Sequence, residues 1–113
     1  MVDSILTTIK GLVGIVPTDT NFDQEIIIHI NSAFMSLQQL GVGPSTGFYI
    51  SSDEELWTDI LLDRKDLEAI KTYIYLKVRL VFDPPQNSFL VDSIKNMITE
   101  LEFRINAQVE GGA

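Results

Sequence analysis

Five amphipathic segments, each closed off by glycine, proline or a capping residue, predict an all-α fold of about five helices in one small bundle. The stretch near 41–52 departs from that pattern and predicts a short hairpin or extended loop. No linker or internal repeat divides the 113 residues, a length that suits one domain with a single core. Hydrophobic residues make up 45% of the chain, which sets it apart from disordered sequences.

Residues 3–13 predict the first helix. Asp3 is placed to cap it, Ile5, Leu6, Ile9, Leu12 and Val13 form its apolar stripe, and Gly14 can end it. A polar turn after Pro17 leads to a second helix from about Phe22 to Leu40, with Thr20 or Asn21 as N-cap and Gly41 just past the end. Its core face is Phe22, Ile26, Ile30, Ala33, Leu37 and Leu40, flanked by Ile27 and Phe34. Ile28 and Met35 project from the other side, seven residues apart and therefore in line. They are either two scattered exposed apolar residues or part of a contact patch.

The glycines of Gly41-Val-Gly-Pro-Ser-Thr-Gly47 do not make a phosphate loop. They follow a helix rather than a strand, and no lysine accompanies them. Turn chemistry accounts for them, with Phe48-Tyr49-Ile50 as a short extended segment. Ser52-Asp-Glu-Glu55 is a capping box for a third helix through about Leu62, with Leu56, Trp57, Ile60 and Leu61 apolar.

Asp66 starts the central helix and Pro84-Pro85 stops it. At about 100° per residue, Leu67, Ile70, Ile74, Val78 and Val81 share one narrow sector, and Ala69, Tyr73, Leu76 and Leu80 lie roughly opposite. A helix apolar on both sides must be covered on both. One face suits the protein's own core, and the second is expected to meet another molecule. Asn87 or Ser88 caps a last helix to about Gln108, with Leu90, Ile94, Met97, Ile98, Leu101 and Ile105 buried and Phe103 pointing away. Val109 to Ala113 reads as a frayed tail.

Composition narrows the function. The chain has no cysteine, hence no disulfide framework or thiolate chemistry. Its start, Met1-Val2-Asp3, lacks the basic region of a secretory signal, and no apolar run reaches the ~20 residues of a membrane span. A net charge of −8 opposes phosphate binding. The expected product is a soluble intracellular domain that does not bind nucleic acid by sequence. His29 is the only histidine; with no nucleophile or orienting partner in view, it reads as structural rather than catalytic. No zinc or EF-hand ligand pattern is present, and no cofactor is expected.

Asp53, Glu54, Glu55, Asp59 and Asp63 make residues 53–63 acidic, whereas Arg64, Lys65, Lys71, Lys77 and Arg79 follow as a basic run. The acids serve either as partners of a helix dipole or as a patch that orients one subunit against the next.

Two stretches resemble head-tail connector proteins of tailed bacteriophages and prophages. Phe22-Asp-Gln-Glu-Ile-Ile-Ile-His-Ile-Asn-Ser-Ala-Phe34, continuing to Gln39-Leu-Gly-Val-Gly-Pro44, is similar to that family's second helix and turn. Leu67 to Phe82 with the closing Asp83-Pro84-Pro85 is similar to its central helix. Trp57 and Glu102-Phe103-Arg104 also fit, so the resemblance spans about residues 5–106. It implies a mainly helical structural protein of the virion, without enzymatic activity, that forms a homo-oligomeric ring at the head-tail junction. Such a ring sits beneath the portal, joins it to the tail or a stopper protein, is assembled in the host bacterial cytoplasm, and lets DNA pass through its centre.

The resemblance supplies no site residues. On physical grounds the expected interface residues are Ile28, Met35, Tyr49, Tyr73, Leu76, Leu80 and Phe103. On this reading Leu76→Asp leaves a helical monomer that no longer assembles, whereas an unfolded variant would assign Leu76 to the core. The competing reading is an acidic dimeric helical binding module, an antitoxin or regulatory adaptor; a ring and a dimer differ in mass.

Overall fold

Local chemistry sets most of the helix ends in the computed structural model, which describes residues 4–42, 48–61 and 67–111. Helix α1 (Ile5–Leu12) is capped by Ser4, whose hydroxyl accepts the Thr7 N–H at 3.1 Å. This is one residue later than the Asp3 expected. Helix α2 (Asp23–Gln39) starts after Phe22 with no side-chain cap, so neither Thr20 nor Asn21 fills that role. The ends of both helices share one device. Gly14 (φ +90°) and Gly41 (φ +94°) adopt the left-handed conformation, and the following residue donates back to the helix: Ile15 to Lys10 at 2.8 Å, Val42 to Leu37 at 2.9 Å. That is the Schellman closure, and burial of Val42 over Leu37 completes it at α2.

Helix α3 (Trp57–Leu61) is shorter than expected. The Glu55 carboxylate does reach Ser52, at 3.2 Å from its N–H, but this pairing closes a turn rather than starting a helix. The Glu55 carbonyl is already taken by the Ile5 N–H at 3.0 Å, beside an antiparallel bridge between Ser4 and Leu56. The helix therefore begins after Leu56, whose N–H the Asp59 carboxylate accepts at 2.8 Å. Helix α4 (Leu67–Phe82) runs into Pro84-Pro85 as expected. Helix α5 (Ser88–Gly111) is capped by Asn87 Oδ1, 2.8 Å from the Phe89 N–H, and continues three residues beyond Gln108. Asp3, Gly43–Gly47, Leu62, Asp63, Arg64, Lys65 and Asp66, and the side chains of Ile60, Leu61 and Leu67, lie outside what is described.

The fold is all-α, with no strand among the described residues. Helix α4 lies at its centre, packed against α1 and α2 on one side and α5 on the other. Ile70, Ile74 and Val78 are fully buried, together with Ile26, Ile30, Ala33 and Leu37 of α2 and Ile5 and Ile9 of α1. The opposite sector of α4 is also covered: Tyr73 is fully buried, Leu76 is 5% exposed, and Leu80 packs half-buried on the core. Ile94, Ile98 and Ile105 of α5 are buried with them. This corrects the expectation that a second face of α4 stays open for another molecule. Within that sector the Tyr73 hydroxyl donates to Glu102 of the chain's own last helix. The edges of the expected stripes are exposed instead, at Leu12, Phe22, Val81, Leu90 and Met97.

Polar anchors hold the connections. Asn31 on α2 grips the backbone of Ile50 twice, accepting its N–H at 2.7 Å and donating to its carbonyl at 3.0 Å. Phe48 rests edge-on against Phe34, and residues 48–50 form no strand; the rest of the expected hairpin or extended loop, Gly43–Gly47, lies outside the described residues. Lys10, nearly all buried, pairs with Asp23 at 2.8 Å and donates to the Pro17 carbonyl at 3.2 Å, pinning the turn between α1 and α2.

Two substitutions test this packing. Leu76→Asp buries an unpaired charge in the core and is expected to cost about 3 kcal/mol or more, seen as loss of cooperative unfolding in urea. Asn31→Ala leaves the buried Ile50 N–H without its acceptor; an expected cost of about 1–3 kcal/mol is measurable as a lowered urea midpoint.

Candidate interaction surface

With α4 enclosed, the surface is defined by what the helices leave outside. Ile28 and Met35 on α2 are 64% and 65% exposed. Their seven-residue spacing keeps them in line, and the side chains around them on α2 are mostly uncharged. Tyr49, beside the Asn31 anchor, is 73% exposed. On α5, Phe103 and Phe89 are each 76% exposed. They stand fourteen residues apart, close to four helical turns, and so face nearly the same way. Four of the seven expected interface residues, Ile28, Met35, Tyr49 and Phe103, thus stand in solvent. Tyr73 and Leu76 do not, and Leu80 is only partly accessible.

The charged groups divide similarly. Asp53, Glu54 and Asp59 are exposed, while Glu55 turns inward to its serines. Burial raises the Glu55 carboxyl, but hydrogen bonds from Ser51, Ser52 and its own backbone outweigh that and hold it below the usual carboxylate range. Of the basic run, Lys71, Lys77 and Arg79 are described, and each meets a group of its own chain. Lys71 lies 4.0 Å from Glu68 and over the Trp57 ring, Lys77 lies over Tyr73, and Arg79 donates to the Tyr75 hydroxyl at 3.0 Å. His29 is half-buried with Nε2 4.0 Å from Glu25, and the described residues contain no group of side chains able to hold a metal. Among them, too, no helix is long and apolar enough to cross a membrane.

A family model described as phage connector protein matches residues 5–112. The chain belongs to that family. No curated protein and no solved structure matches it. Family membership makes this connector a structural component of a phage particle, and its exposed apolar side chains take on meaning in that setting. Sequence reasoning missed Phe89, although the line through Phe103 contains it. The seven-residue spacing that selected Ile28 and Met35 would have found it.

Tyr73 gives the connector's covered face a pH signature. Burial, and then the Glu102 carboxylate that accepts its hydroxyl at 2.8 Å, push the phenol well above its ordinary value of 10.0. The unfolded chain releases this proton near pH 10 and the folded chain holds it, so the contribution is complete below pH 10 and is lost as pH rises further. Urea titrations at increasing pH should show that loss in the wild type and a shallower one in Tyr73→Phe.

Proposed function

We propose that this connector assembles as a homo-oligomeric ring at the head-tail junction, beneath the portal, joining it to the tail or a stopper protein with DNA passing through the centre. The observation that carries the reading is a family match over nearly the whole chain together with large apolar side chains in solvent on two separate helices, α2 and α5. A head-to-tail ring needs two different patches on each subunit, because each copy presents one to each neighbour. The net charge of −8 suits a conduit, since a basic wall would hold the DNA backbone. The role is structural, with no catalysis, cofactor or membrane contact, and the subunits gather in the host cytoplasm before joining the virion.

Light scattering over a concentration series, alone and with purified portal, tests this directly. Annular particles of defined mass are expected, whereas a species that stops at a dimer in both conditions overturns the reading. Ile28→Asp with Met35→Asp, and separately Phe103→Asp, are expected to change folding stability by no more than about 0.5 kcal/mol. They should nonetheless abolish assembly, with helical circular dichroism retained.

A further inference from the structure

Arg79 lies in a concavity of about 250 Å³ lined also by Leu12, Val13, Gly14, Tyr75 and Asp83. The Tyr75 hydroxyl holds its guanidinium at 3.0 Å. Among the described residues no carboxylate pairs with it, Asp83 included, whereas Arg104 is paired with Glu100 at 2.6 Å. A half-buried, oriented guanidinium without a counter-ion is unusual in a chain of net charge −8. Its planar fork suits a carboxylate, and Leu12 and Val13 line the same concavity.

The matching acids are Asp53 and Glu54. Both are exposed and make no ion pair among the described residues. They project from a turn that the Glu55 carboxylate fixes through four hydrogen bonds from Ser51 and Ser52. Their position relative to Arg79 decides which copy they serve. The acidic turn is tied to the first residue of α1, through Ile5 N–H to Glu55 O, whereas the Arg79 site is walled by the last turn of α1. The eight residues of α1 hold the two ends about 12 Å apart. Each chain therefore keeps its acids and its arginine at opposite ends of one rigid element, an arrangement that joins copies head to tail.

We propose that Asp53 and Glu54 of one copy seat in the Arg79–Tyr75 site of the next, supplying the polar, orienting part of the subunit contact; this rests on the ring reading above. Asp83 at the rim opposes the incoming acid, so its neutralisation tightens the contact.

Charge exchange tests the pairing. Arg79→Glu, and separately Asp53→Lys with Glu54→Lys, should each weaken assembly at least about tenfold, and an equimolar mixture of the two variants should restore it. Restoration also shows that both variants fold. Asp83→Asn should assemble at lower concentration than wild type. Because the chain has no cysteine, Glu54→Cys and Arg79→Cys copies can be mixed under oxidation, and a disulfide-linked dimer is expected from the mixture. Wild-type assembly by Arg79→Glu, or a mixture that neither reassembles nor cross-links, overturns the contact while leaving the ring in place. A wild type that forms no oligomer with or without portal, in mixtures that yield no cross-link, removes both.

Discussion

Helix α4 carries apolar side chains on two opposite sides, and neither can be left against water at a tolerable cost. The chain meets this demand by packing α1, α2 and α5 around α4, so that Ile70, Tyr73, Ile74, Leu76 and Val78 are all buried. Everything else is arranged around that sandwich. The break at Pro84-Pro85 reverses the chain so that α5 can return along α4. The Schellman closures at Gly14 and Gly41 turn the chain sharply after α1 and α2. Tyr73 adds direction to the otherwise unspecific burial, because its hydroxyl must find Glu102 when α5 docks.

The connections are held by single polar side chains rather than by a sheet. Asn31 offers Ile50 the donor and acceptor that a neighbouring strand would offer. Lys10 is buried where a lysine is seldom found, and is tolerated because Asp23 and the Pro17 carbonyl satisfy its ammonium. Glu55 organises its turn while leaving Asp53 and Glu54 to solvent. A small bundle thus keeps its irregular segments fixed, and these segments present its exposed acids and Tyr49.

For a connector, the consequence is a division of labour over the surface. The apolar residues left outside are Ile28 and Met35 on α2 and Phe89 and Phe103 on α5, and in the proposed ring they would supply the burial. Arg79, which has no carboxylate partner among the described residues, and the acids of the 53–54 turn would supply the orientation. Burial without orientation would aggregate such a protein, whereas placed charges fix which faces meet.

Periodicity and backbone restriction act over a few residues, so the helical class, the order of the helices and the stops at Gly14, Gly41 and Pro84-Pro85 were legible in the chain's own pattern. The same pattern showed the two-sidedness of α4 and the exposure of Ile28, Met35 and Phe103. What covers the second face of α4 was not legible there. An apolar stripe records that it must be buried, not by which element, and the Glu102 that meets Tyr73 comes from well along the chain. The same non-local geometry made the Ser52–Glu55 pair a turn rather than a helix start, since Ile5 had claimed the Glu55 carbonyl. It also left Arg79 beside Tyr75 with no carboxylate partner among the described residues, because ion pairing depends on distances that spacing along one chain does not encode.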